Sequence, residues 1–125
     1  MDKQEKITEL MNAKKPVTLG LIARELGCTD VEAARALPAE NCAFIKDISM
    51  FDDLWSAMSE WEKVTLFIIH EGHVFEIQSK LSAGKRAMGY YNILAKDAVI
   101  GGHINPDSLE TAAFISMPFM GRESH

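Results

Sequence analysis

The stretch Val64-Thr65-Leu66-Phe67-Ile68-Ile69-His70-Glu71-Gly72-His73-Val74-Phe75-Glu76-Ile77-Gln78 decides the fold class. Both arms are rich in branched and aromatic side chains, which favour a pleated backbone. Glu71-Gly72 between them predicts a two-residue hairpin turn. In that register His70 faces His73, Ile68 faces Phe75 and Leu66 faces Ile77, all on one face. Phe67 with Glu76 and Thr65 with Gln78 make the other face. Directly opposed residues hold their Cβ atoms ~5 Å apart, so two imidazoles would end an apolar sheet face. That placement suits an apolar ligand with a metal at its centre. A solvated, inert histidine pair is an alternative of equal weight, because a one-residue change of loop separates them. The helical zinc-protease pattern is excluded, since it needs a second histidine at position 74 and valine stands there.

Working outward, residues 87–94, 99–104 and 111–119 read as weaker strands. Turns are marked by Ser82-Ala83-Gly84, Gly101-Gly102 and Asn105-Pro106-Asp107-Ser108. Upstream, residues 50–60, with Met50, Leu54, Trp55 and Met58, predict an amphipathic helix. Residues 1–37 predict helices, from the spacing of Ile7, Leu10 and Met11 and of Leu19, Ile22, Ala23 and Leu26. Thr18 is placed to cap the second helix and Gly27 to end it. Thr29 with Glu32 gives a capping-box pattern for a third helix running through Ala36. Helices followed by antiparallel strands predict an α+β domain with helices against one sheet, spanning residues 1–125: a helical part, 1–37, and a mainly antiparallel part, 38–125.

The segment Gly84-Lys85-Arg86-Ala87-Met88-Gly89-Tyr90-Tyr91-Asn92-Ile93 holds the other chemistry, with Ile100-Gly101-Gly102-His103-Ile104 after it. Strand alternation places Met88, Tyr90 and Asn92 on one side and Ala87, Gly89 and Tyr91 on the other. Tyrosine and, most often, histidine serve as axial ligands to haem iron. Gly101-Gly102 lets backbone approach a flat ligand closely. Lys85 and Arg86 are candidates to meet haem propionates. Against each stands a plainer reading: a core tyrosine, a glycine bulge and a solvated basic turn.

Bulk properties bound these readings. A chain of 125 residues suits one domain. The hydrophobic fraction, 47%, and the charged fraction, 25%, are those of a globular protein. A formal net charge of -5 makes nucleic acid and anionic membranes poor partners. No apolar run reaches the ~18 residues of a membrane span, and the charged start Met1-Asp2-Lys3-Gln4-Glu5-Lys6 is not that of a signal peptide. The two cysteines, Cys28 and Cys42, have no CxxC spacing, so a reduced, cytoplasmic protein is the simplest reading.

Leu54-Trp55, Trp61-Glu62-Lys63-Val64-Thr65 and Ile69-His70 resemble segments of the HutX/ChuX haem-utilisation family. So do Ala36-Leu37-Pro38, Gly89-Tyr90-Tyr91-Asn92, Gly101-Gly102-His103-Ile104 and Pro118-Phe119-Met120-Gly121-Arg122-Glu123-Ser124. The resemblance covers essentially the whole chain. It implies a fold like one repeat of the two-repeat HemS/ChuS-type proteins. It also implies a cytoplasmic carrier of haem (haem b), commonly a homodimer, that hands its cargo to a haem-degrading enzyme and is not itself an enzyme. The family's haem contacts fall on His70, Tyr90 and His103, the candidate iron ligands; His73 lies in no family motif. Family members continue past the Arg-Glu-Ser run with further strands and a helix. The resemblance therefore implies truncation at the C-terminus by roughly 40 residues, against domains of about 50–250.

Two other classes compete. Residues 19–36 resemble a DNA-binding helix-turn-helix, yet residues 1–37 hold six Lys/Arg and six Asp/Glu. The would-be recognition helix also opens Asp30-Val31-Glu32, and duplex affinity needs basic contacts. A haem-degrading enzyme is the other alternative; no hydrolase triad, phosphate loop or nucleotide fingerprint is present in the sequence.

Overall fold

The computed structural model describes residues 2–13, 16–96, 98–119 and 122–125, and its helices start where their end signals stand. In α1 (Lys3–Asn12), the Asp2 carboxylate accepts from the Glu5 N–H at 2.8 Å. Glu5 returns the bond by accepting from the Asp2 N–H at 3.1 Å, so two orphan donors are satisfied. In α2 (Leu19–Leu26), Thr18 Oγ1 accepts from the Leu21 N–H and Gly27 ends the helix at φ +67°, a left-handed conformation glycine adopts without strain. In α3 (Asp30–Ala36), Thr29 Oγ1 accepts from the Glu32 N–H at 3.1 Å. The Thr29 hydroxyl donates in return to Glu32 Oε1 at 3.1 Å, a variant of the expected box. The fourth helix, α4, is Phe51–Met58.

The described residues also form nine strands, β1 before α4 and the others after it: β1 (Cys42–Phe44), β2 (Val64–His70), β3 (His73–Ser79), β4 (Gly84–Ala87), β5 (Tyr90–Ile93), β6 (Gly102–Ile104), β7 (Ala113–Ile115), β8 (Met117–Phe119) and β9 (Arg122–Ser124). All pairings are antiparallel, as expected of an α+β fold, but they form four ladders rather than one sheet: β1–β7, β2–β3, β4–β5–β6 and β8–β9. The β2–β3 register is the one the hairpin reading requires, from Val64 opposite Ser79 to His70 opposite His73. Glu71 and Gly72 take φ +49° and +82°, the two positive values of a type I′ turn.

The single strand expected over residues 87–94 is corrected to a second hairpin. Met88 and Gly89, at φ +54° and +83°, form its turn between β4 and β5. Met88 therefore shares no strand face with Tyr90; it stands at the tip, 96% exposed. The strand expected over 111–119 divides at Ser116. Its N–H donates to the Asn41 carbonyl while Asn41 Nδ2 donates to the Ser116 carbonyl. The short β1 was not anticipated, because three residues are too few to display alternation.

The backbone gathers into two compact units, Met1–Lys46 with Thr111–His125, and Asp47–Glu110. In the first, Ile7 and Ile22 are fully buried among Val17, Ala23, Ala33, Ala36, Leu37 and Met117. Each such isoleucine contributes about 1.5–3 kcal/mol of hydrophobic stabilisation. Leu19 and Leu26 are half-buried against this core. Most of α3 is spent on it too: Ala33, Ala34 and Ala36 are buried, leaving Asp30, Val31, Glu32 and Arg35 outside. That exposed face carries two acids and one base, the wrong balance for a duplex reader. Both cysteines are free thiols, and burial raises the Cys42 pKa against the opposing charge of Arg35. In the second unit, Phe51, Trp55, Leu81, Tyr91 and Ile100 form the core, flanked by Leu66, Ile77, Ile93 and Ile104.

Candidate functional site

The second unit's aromatic core sets the position of β5. The Tyr91 ring meets Phe51 edge-on, centroids 5.6 Å apart, and Trp55 at 6.3 Å. Trp55 Nε1 donates to the Ser82 carbonyl at 2.8 Å, and the Tyr91 hydroxyl accepts from the Gly84 N–H at 2.9 Å. Tyr91 is thus the core tyrosine of the pair, 2% exposed. Its partner strand must come close. A Cβ on Gly84 would lie 2.5 Å from the Asn92 carbonyl and 2.8 Å from Tyr91 Cζ, so no other residue fits there without displacement.

Pinning Tyr91 inward sends its neighbours outward, since successive strand residues alternate faces. Tyr90 and Asn92 emerge on the far side of the β4–β5–β6 ladder, where register sets Asn92 between Lys85 and His103. Tyr90 is 46% exposed, and its ring centre lies 5.8 Å from that of His103. His103 Nδ1 is 2.6 Å from Asn92 Oδ1. Its Nε2 has no hydrogen-bond partner among the described residues. Beside Tyr90 an open depression of about 360 Å³ is lined by Arg86, Ala87, Gly89, Tyr90, Pro106 and Asp107.

The five residues singled out from sequence separate into three groups. Tyr90, His103 and Lys85 share one face of one ladder. Arg86 points the other way: its Nε and Nη2 grip the Asp52 carboxylate at 2.7–3.0 Å, and that pairing holds the Asp52 pKa below the usual carboxylate value. A propionate would have to compete with Asp52 for this guanidinium. His70 stands at the turn end of the separate β2–β3 hairpin. It lies opposite His73, and its Nε2 is 3.6 Å from Glu71 Oε1. Ile68 and Phe75, on the same face as His70, are exposed, whereas Leu66 and Ile77 pack into the core.

The two glycines expected to admit a ligand differ. A Cβ on Gly101 would strike Ala95, an internal packing reason for glycine. Gly102 takes φ +142° and faces open space. The contact that the sequence did not reveal is that of Asn92 with His103 on β6, which depends on a register that no turn signal announced.

The donor set fits a metal carried in a macrocycle. Among the described residues no three His, Cys, Asp or Glu side chains gather to chelate a bare ion. An iron already held by a macrocycle would need few further donors, and an imidazole nitrogen and a phenol could serve as such. Among the described residues no helix is long and apolar enough to cross a membrane.

Comparison with known proteins places the chain among described relatives. The family model described as Haem utilisation ChuX/HutX matches residues 46–125. The chain is 32% identical over 122 residues to a Vibrio cholerae protein named intracellular heme transport protein HutX. That alignment covers 98% of this chain and 63% of the relative, so the chain spans less than two-thirds of that protein. A crystal structure of an Erwinia carotovora protein superposes with a TM-score of 0.82 at 29% identity, over 98% of this chain and 73% of the other. A structure titled heme binding protein ChuX superposes with a TM-score of 0.78 at 25% identity, over 98% and 72%.

Proposed function

This chain belongs to the haem-utilisation ChuX/HutX family, and from that premise we propose that it is an intracellular, cytoplasmic haem-binding carrier, with haem b as its cargo. The observation that carries the reading is the outward pairing of Tyr90 with His103 on a ladder whose other face is locked into the core. Either residue would supply a donor to haem iron. Lys85, on the same face, is the cation for a propionate, and Arg86 is a second one only if it leaves Asp52. His70 is a further contact, reached from the hairpin face that carries Ile68 and Phe75. Such a site is open rather than enclosed, which suits a protein that must give its ligand up to an acceptor, here a haem-degrading enzyme. The names of the relatives, a heme transport protein and a heme-binding protein, support the same reading. A carrier rather than an enzyme is proposed on the names of those relatives, a heme transport protein and a heme-binding protein.

A haemin titration followed by Soret absorbance tests the proposal. The expected result is a saturable change at one haem per chain, and bound haem that survives a reductant without opening to a linear tetrapyrrole. Folded protein giving no saturable Soret change overturns it. Rapid ring opening would reassign the chain to the enzyme alternative.

A further inference from the structure

We propose that Asn92 is a positioning residue that holds His103 in its Nδ1–H tautomer and so presents Nε2, with its lone pair, outward. The inference rests on the haem-site reading for its purpose but on this chain's own hydrogen bonds for its substance. The Asn92 side-chain amide nitrogen lies 3.1 Å from the Lys85 carbonyl, 3.2 Å from that of Ala87 and 3.3 Å from that of Tyr90. Three acceptors around one end of an amide fix which end it is: only the NH₂ can face them, because an oxygen there would be repelled. Oδ1 must then face His103, and an oxygen with no hydrogen can only accept. The His103 nitrogen 2.6 Å away is therefore a donor, Nδ1–H. In the neutral ring the other nitrogen carries the lone pair, and that is the form in which imidazole binds a metal.

The backbone carbonyls that orient Asn92 belong to the β4–β5 hairpin and its turn-flanking residues. The ring on β6 is thus registered to the hairpin that carries Tyr90, and the two candidate donors are held in a fixed relation. The acceptor is also a neutral amide. A carboxylate behind a ligating histidine makes it a stronger donor; such partners typically change metal affinity by about 10–100-fold. An amide orients the ring with less of that strengthening, which fits reversible loading.

The test begins on the haem-free protein. Long-range proton–nitrogen NMR of the uniformly labelled chain at alkaline pH should show His103 with a protonated Nδ1 and a bare Nε2. Free imidazole side chains in water favour the opposite tautomer. Asn92→Asp keeps the acceptor and should keep Nδ1–H; Asn92→Leu should lose it. A parent protein with Nε2 protonated overturns the inference, and so does an unchanged tautomer in a folded Asn92→Leu. With haem, Asn92→Leu should weaken binding about 10–100-fold and Asn92→Asp should tighten it. Equal affinity in parent and both variants overturns the positioning role even with the tautomer as expected. Failure of the parent to bind haem would instead remove the functional reading, while the tautomer result stands on its own.

Discussion

A single buried ring, Tyr91, governs what its neighbours can do. Because that hydroxyl and ring are anchored against Gly84, Phe51 and Trp55, Tyr90 has no place in the core and faces outward beside His103. We expect Tyr90→Phe or His103→Ala to shift the Soret band and weaken haem by at least about tenfold, roughly 1.4 kcal/mol. His70→Ala should change it less, since His70 stands on another ladder. If Tyr90 is the ligand, its phenolate favours ferric iron and reduction should loosen binding. Spectra of all three variants that match the parent would discard this site without touching the family assignment. The glycine beneath the tyrosine is a second test. Gly84→Ala drives a methyl to 2.5 Å from the Asn92 carbonyl, an overpacking that should cost about 1–3 kcal/mol in denaturant melts. Full stability in that variant would show that β4 can shift freely. That Tyr90 and Tyr91 lie on opposite faces was legible in the sequence; which of them goes inward was not, because alternation gives two faces without saying which is buried.

Among the elements, the β2–β3 hairpin was readable because its turn dipeptide fixes a register that then propagates along both arms. The β4–β5 hairpin was not. Its turn residue Met88 carries a positive φ that long side chains seldom adopt, so Met88-Gly89 gave no turn signal. The link from α4 to β4 is the Asp52–Arg86 pair, which lowers the Asp52 pKa chiefly through the guanidinium hydrogen bonds. A carboxylate whose folded pKa is depressed stabilises the fold at pH values above its unfolded pKa, about 3.9, and that contribution disappears as pH falls through the folded value. The melting point of Asp52→Asn should therefore lie below the parent's at pH 7, with the gap closing in acid below the unfolded value. A gap that is constant with pH would mean the pair contributes nothing through charge. Both side chains are partly exposed, so the neutral-pH gap should be small and should shrink in high salt.

For the whole molecule, the β2–β3 hairpin leaves Phe67, Ile69 and Val74 exposed on the face opposite His70, with Ile69 at 67%. Contiguous exposed apolar residues on a two-stranded ladder invite a partner. We expect that partner to be a second copy of this chain, giving a homodimer. Sedimentation should show a dimer for the parent and a monomer for Ile69→Lys, whose haem spectrum stays unchanged because the substitution lies off the His70 face. A monomeric parent at micromolar concentration would sink the dimer.

The sequence alone settled what is local or spelled out in motifs. Helix ends follow from Thr18, Gly27 and Thr29, the first hairpin from Glu71-Gly72, and the family from runs such as Gly89-Tyr90-Tyr91-Asn92. These depend on neighbours a few residues apart, where side-chain chemistry and backbone preference act directly. Tertiary structure decided the rest: that β1 reaches 70 residues on to β7, that Arg86 is taken by Asp52, and that Asn92 meets His103. Each depends on strand register and on which ring wins the core. Register is a property of paired strands and burial a competition among all apolar groups of the unit, so neither is written in any one stretch of chain.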